Sequence, residues 1–396
     1  MAETPEKEIS AAGFPVYLHG LSAIDSYLGQ NTAAAAATAV EVLCGADLAD
    51  LARLFEGLRY PGAALADAAV DSNGKTWYFR CEDPEHLRNC RHSFSFLDFF
   101  QDCATRRFYD PNGIYSLLRS ILKETDDAYT AQWWKTANTA ADPCRLLFDG
   151  AMILARYFPK TGSGAINAIA AELCGLNKTA PPGTEEQRLL LLRLLDAANP
   201  ASGFELLKRC GFIAAYWPEL AILDDVDHSK EFHPEGNVWK HTMETLRYRK
   251  ALGHGGGFDL RLSLGLLLHD VGKPLSESSG RHRFSGHAEL GERQAYSFLH
   301  RLGFEAPLIR DVCYLVRNHM LPAALSRLPL IRTGEVMSSL LFPTLLELYR
   351  CDESSSFKGL DGYYRSSAAY QSYLKYRRNP YRSADGKKLN NANVYI

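Results

Sequence analysis

Between His241 and Asp352 the chain carries six side chains able to bind a transition metal: His241, His269, Asp270, His287, His319 and Asp352. They stand in HPEGNVWKHTMETL, LSLGLLLHDVGKP, RFSGHAELGE, YLVRNHM and LLELYRCDES. Imidazole nitrogen with carboxylate oxygen suits Mn, Fe, Co, Ni or Zn better than Ca. Any one of these histidines, His319 for instance, is as readily a buried side chain bonded to backbone. All six in order, each on or beside an apolar helical segment, point to a metal centre. His228, His233, His254, His282 and His300 fit no ligand position.

The elements that must position these side chains are helices. His241 stands among apolar residues at helical spacing, and the apolar run before His269-Asp270 reads as a buried helix. The rest of the chain needs more than one core, because 396 residues exceed a single domain. An apolar fraction of 46% with 23% charged residues is ordinary for a soluble globular protein. A net charge of −2 excludes a global pull on nucleic acid, so any such contact must be a local patch. No apolar run approaches the ~18–20 residues of a membrane span. The N-terminus MAETPEKEIS has neither the basic region nor the apolar core of a secretory signal. The nine cysteines form no CxxC pair, which fits reduced thiols in a cytoplasmic protein.

Residues 13–29 read as a strand at Val16–Leu18, a turn at Gly20 and a helix. TAVEVL and Lys75–Phe79 are strand-like, the latter preceded by the turn signal Asn73-Gly74. DLADLARLFEGL is an amphipathic helix. From about Tyr115 the pattern turns helical, with LLFDGAMILARYF and EEQRLLLLRLLDAA separated by Pro181-Pro182, and a helical hairpin over Phe204 to Leu220. These patterns predict a mostly α protein with an α+β N-terminal domain.

The central stretch resembles the HD superfamily of metal-dependent phosphohydrolases, whose H…HD…D signature falls on His241, His269-Asp270 and Asp352. His287 and His319 match members with a second metal. The resemblance implies one or two divalent ions, Mn, Ni, Co, Fe or Mg, with Asp270 as bridge or proton acceptor. Lys273 is one helical turn from His269 and is placed to contact phosphate as a point charge, with Arg317 and Arg283 as weaker candidates. Read more widely, EFHPEGNVWKHTMETL, LLLHDVGKP, GRHRFSGHAELGE and VRNHM resemble the HD domain attached to bacterial CCA-adding enzymes of the poly(A) polymerase type. ELLKRCGFIAAYWPELA is similar to the segment before that domain. ADPCRLLFDGAMILARYF is similar to the neck helix EDPxRxLRxxRFAxRxGF, and GFPVYLHGLSAIDSYLG to the start of the head.

The head departs from the family where transfer needs it. The position of the D-x-D that holds Mg²⁺ falls on Ala39-Val40-Glu41, so one carboxylate is missing. The Gly-Gly phosphate turn becomes His19-Gly20-Leu21, and RRDFTINA becomes Arg91-His92-Ser93-Phe94-Ser95-Phe96-Leu97-Asp98. The neck keeps Asp142 and Arg145 but has Ala141 and Phe148 for Glu and a second Arg. The head therefore reads as a degenerate nucleotidyltransferase-like fold, with Asp25, Glu41 and Asp98 as surface or local-capping carboxylates.

The expected organisation is a head at 1–125, a helical neck and body at 126–225, an all-α HD domain at 226–355 and a Tyr/Arg-rich tail at 356–396. Gly362–Lys388 mixes basic residues with tyrosines, a composition that tracks phosphates while stacking bases. Tyr370, Tyr373 and Tyr376, three apart, favour instead a helix packed on the HD domain. The function expected is hydrolysis by the HD domain of a nucleotide or RNA-end phosphoester, a phosphomonoester or 2′,3′-cyclic phosphodiester. Two alternatives stay open: a tRNA nucleotidyltransferase with the head still active, and a non-catalytic RNA-binding protein, with tRNA as the implied partner.

Overall fold

A computed structural model describes residues 3–29, 39–60, 66–82, 97–111, 113–115, 143–158, 163–174, 181–227, 236–252, 257–276, 284–356 and 359–378. They fall into two compact units: Met1–Tyr216 with Lys250–Phe258, and Trp217–Arg249 with Asp259–Ile396.

The first unit opens with helix α1 (Pro5–Ala11), strand β1 (Val16–His19), helix α2 (Gly20–Leu28), β2 (Ala39–Cys44), α3 (Leu48–Leu54), β3 (Ala68–Ser72), β4 (Lys75–Cys81), β5 (Phe100–Asp102) and β6 (Phe108–Tyr109). The strands form one sheet in the order β3-β4-β2-β1-β5-β6. The β2–β4 pair is parallel and the others are antiparallel. Side chains alternate across a strand. Val40, Val42 and Cys44 therefore join Ile9, Leu51 and Phe79 in the main core, while Leu43 meets Tyr17 and Phe100 on the opposite face. Glu41 shares Leu43's face by the same period. Asn73 and Gly74 both take positive φ, 53° and 74°, and join β3 to β4 in a two-residue hairpin turn, as their sequence predicts.

Helices α4 (Pro143–Tyr157), α5 (Ser163–Cys174), α6 (Thr184–Leu195), α7 (Pro200–Arg209) and α8 (Phe212–Tyr216) complete this unit. Gly203 lets α7 lie directly on α4, since a Cβ there would collide with the Ala151 carbonyl oxygen and the Leu194 side chain. Asp25 of α2 is bound by the Arg156 guanidinium and accepts from the Tyr157 hydroxyl at 2.7 Å. It therefore fastens α4 to the sheet half and is not the local cap expected of it.

The second unit is helical: α9 (Pro218–Ala221), α10 (Val238–Arg247), α11 (Leu260–Leu268), α12 (Lys273–Ser276), α13 (His287–Arg301), α14 (Ala306–Asn318), α15 (Leu330–Ser338), α16 (Phe342–Ser354) and α17 (Asp361–Arg378). Asn237 caps α10 by accepting from the Lys240 amide at 3.0 Å. Asp259 caps α11 by accepting from the Arg261 amide at 2.8 Å. Leu264, Leu266, Leu267 and Leu268 are fully buried, each stabilising by about 2 kcal/mol. The protein is thus mostly helical with an N-terminal α+β portion, as its sequence predicts. Residues 361–378 of the tail form the expected helix: Tyr373 is buried and donates to the Gly334 carbonyl at 3.2 Å, and Tyr370 packs on Phe342. Tyr381, Arg382, Lys387 and Lys388 lie outside the described residues, as do 116–142, with Asp142, and 91–96 of the head.

Candidate metal centre

The six predicted ligands converge. His269 terminates α11 and His319 terminates α14, while His287 opens α13 and His241 sits within α10. Asp352 lies near the end of α16. All but Asp352 are at most 7% exposed. A glycine draws the pieces together. A Cβ on Gly272 would collide with the His287 carbonyl oxygen and the Gly291 amide nitrogen, so the turn after Asp270 rests on the first turns of α13.

Every imidazole is oriented by a bond from its Nδ1. His269 donates to Leu266 O at 2.8 Å, His287 to Phe284 O at 2.6 Å and His319 to Val316 O at 2.7 Å, each three residues back. A carbonyl only accepts, so each Nδ1 carries the proton. His241 Nδ1 lies 3.2 Å from Ser355 Oγ. That hydroxyl spends its own hydrogen on Asp352 O at 2.7 Å, so it accepts from His241. Each Nε2 is then left with a lone pair, and these lone pairs face one another. His241 Nε2 and His269 Nε2 are 3.4 Å apart, and His287 Nε2 and His319 Nε2 are 3.0 Å apart. Burial and the neighbouring His269 push His319 down to about 3, and burial lowers His287. Burial thus favours the neutral form of His287 and His319.

Asp270 stands between the two pairs. Its Oδ2 is 3.1 Å from His269 Nε2 and 3.9 Å from His241 Nε2. Its Oδ1 is 3.6 Å from His287 Nε2 and 3.8 Å from His319 Nε2. Burial opposes its charge, but the Lys273 ammonium beside it favours the ionised carboxylate, which is held well below the usual range. Asp352 Oδ1 is 3.1 Å from His241 Nε2. Two triads result, His241–His269–Asp270 and Asp270–His287–His319, with donor atoms within 4.8 Å of one another. Converging lone pairs and carboxylate charge fit a divalent cation in each.

The flanking cations behave differently. Lys273 Nζ donates to Asp270 Oδ2 at 2.6 Å and lies 5.3 Å from the Phe284 ring centre, so it is anchored at the centre. Arg317 pairs with Glu292 at 2.5 Å on the surface. Arg283 lies outside the described residues. Sequence reasoning missed Ser355 and the three carbonyls that aim the rings. A serine three residues after a ligand Asp carries no distinctive signal.

In the first unit, the acid expected at a transfer centre is already engaged. Glu41 pairs with Arg193 of α6 at 2.5 Å, and Arg193 stacks on Tyr78 at 5.3 Å. Glu41 Oε2 lies over Gly20, at the start of α2. Asp98 stands 3.7 Å from His19. With Ala39 offering no oxygen, these residues do not make a two-carboxylate metal site.

Comparison with known proteins gives this architecture its relatives. The HD-domain family matches residues 238–341. A CC-adding tRNA nucleotidyltransferase of Thermus thermophilus is 37% identical over 145 residues, covering 36% of this chain and 32% of that protein. A multifunctional CCA protein of Halorhodospira halophila is 36% identical over 227 residues, covering 55% and 49%. A solved Bacillus stearothermophilus CCA-adding enzyme in complex with CTP aligns with TM-score 0.48 and 13% identity, over 95% of this chain and 81% of that one. The matched stretches span a third to a half of the length of these two sequence relatives. The kinship expected from the motifs, with CCA-adding enzymes that carry an HD domain, is borne out. The expected function is not. One relative is named a CC-adding tRNA nucleotidyltransferase and others multifunctional CCA proteins, which favours the nucleotidyltransferase alternative over phosphoester hydrolysis. The physical reason is general: a ligand set fixes a metal centre, not the reaction done by the molecule. Among the described residues, no helix is long and apolar enough to cross a membrane.

Proposed function

We propose that the protein is a tRNA nucleotidyltransferase, extending the 3′ end of tRNA with CCA or part of it. The observation that carries this reading is the kinship with proteins named for that addition. In the reaction the terminal hydroxyl oxygen bonds to the α-phosphorus of a nucleoside triphosphate, the bond to the β-phosphate breaks, and pyrophosphate leaves. We assign Glu41, poised over the first turn of α2, to receive the hydroxyl proton. Arg193, already at that place, supplies positive charge towards the triphosphate. The HD centre would hold one ion on His241, His269, Asp270 and Asp352 and another on Asp270, His287 and His319; Mn, Ni, Co, Fe and Mg are the candidates. A divalent ion there supplies Lewis acidity towards a phosphate oxygen. Lys273 is assigned to phosphate contact beside it, while Arg317, expected there as a weaker candidate, stands apart with Glu292 on the surface.

One observation favours a second reading. Glu41 is neutralised by Arg193 and has no second carboxylate beside it on β2, which fits a relative that binds tRNA without extending it. The test is incorporation of labelled CTP and ATP into tRNA lacking its terminal CCA. Incorporation that Glu41→Gln abolishes and Asp270→Asn leaves intact supports transfer by the head. Absence of incorporation, with tRNA still bound, overturns it in favour of the second reading.

A further inference from the structure

Helices α13 and α14 pack closely along their length, yet their outer faces part to form a groove of about 650 Å³. Its lining joins Arg293 and Tyr296 of α13 to Ile309, Arg310, Cys313 and Arg317 of α14. Arg293, Arg310 and Arg317 are all exposed. Arg317 is held by Glu292 at 2.5 Å, whereas Arg293 and Arg310 have no ion-pair partner among the described residues. Three guanidinium groups thus stand against Glu292, with Glu289 near enough to act on Arg317, in a chain whose net charge is −2. Tyr296 is 53% exposed, and its ring lies 5.6 Å from that of His300 at 14°, a stacked pair one turn apart. Ile309 and Cys313 are buried and give the groove an apolar floor.

We propose that this groove binds a single-stranded polynucleotide, with Arg293, Arg310 and Arg317 on successive phosphates and a base stacked on Tyr296. The chemistry selects this occupant. Guanidinium forks match phosphodiester oxygens, and an aromatic platform accepts the face of any base. An acidic peptide would satisfy the arginines but would leave the stacked Tyr296–His300 surface unused. Arg317 exchanges Glu292 for a phosphate when the strand binds. The groove begins five residues after His287 and ends one residue before His319, so its walls are the two helices beside which two members of the second triad stand. The inference holds whether or not the head transfers nucleotides, because binding is measured without any triphosphate.

The experiment is fluorescence anisotropy of the full chain with a labelled twelve-nucleotide single strand, as RNA and as DNA, across a salt series. A dissociation constant below about 1 mM is expected at low salt. Each phosphate contact adds about 0.7 to the slope of log affinity against log salt, so the double variant Arg293→Ala/Arg310→Ala should lower that slope by about 1.4 and weaken binding. Tyr296→Ala should weaken binding by about fivefold to a hundredfold with the slope unchanged, as loss of one stacked base requires. The control Arg53→Ala/Arg59→Ala, on the first unit, should change neither. Absence of binding overturns the proposal, and so does affinity that the groove variants leave unmoved. Circular dichroism checks that these surface variants remain folded.

Discussion

What distinguishes the HD centre is the state of its four imidazoles. Each gives its Nδ1 proton to an oxygen of the protein, and each turns an Nε2 lone pair towards another. A protein without a cation at this place would gain nothing from that arrangement. The ligand types could be read from the sequence because His and Asp beside apolar helices are rare together. The aiming groups could not, since backbone carbonyls have no sequence signature and Ser355 looks like any helix-end serine. Ser355 gives the sharpest test. Removing a group that orients a ligand costs about tenfold to a hundredfold in metal affinity. Ser355→Ala should weaken Mn or Ni binding by that factor in a calorimetric titration. His319→Ala should remove one ion and keep the other, held by His241, His269, Asp270 and Asp352. Metal content unchanged in His319→Ala would count against a second ion.

Between elements, the informative contacts are those that sequence spacing cannot disclose. The Glu41–Arg193 pair joins β2 to α6 across 152 positions of chain, and the ties of Asp25 to Arg156 and Tyr157 span 131 and 132. A carboxylate judged alone at each site reads as a surface or capping group. Strands β5 and β6 went unread for a related reason: segments of three and two residues show no period. Long periodic elements such as α4 and α6 were legible. The tail helix α17 was legible only as one of two choices. Its tyrosine stripe decided for packing, because Tyr373 reaches the Gly334 carbonyl between the helices. Truncating a buried aromatic costs about 3–5 kcal/mol. Tyr373→Ala should therefore release α17, read as loss of amide-exchange protection over residues 361–378 with α13 and α14 still protected. Tyr373→Phe should cost about 1 kcal/mol, the worth of its hydrogen bond. Equal protection in wild type and Tyr373→Ala would contradict the anchoring role.

Taken as a molecule, the chain forms two compact units, and among the described residues the two candidate ligand triads are confined to the second. All six ligands lie between residues 241 and 352, and the described first unit contributes none. A ligand that binds the folded state stabilises only the unit that must unfold to release it. At free metal a hundred times its dissociation constant, that stabilisation is about 2.7 kcal/mol. Heating the full chain should then give two calorimetric transitions. Added Mn or Ni should raise one by several degrees and leave the other in place. The shifted transition is assigned by Asp270→Asn, which should abolish the shift while the two midpoints remain distinct. The unmoved transition belongs to the unit that carries Glu41 and Arg193, so Arg193→Ala should lower that midpoint alone by stranding a partly buried carboxylate. Metal that raised both transitions together would mean that the two units unfold as one, and the separation of head chemistry from HD chemistry would have to be abandoned.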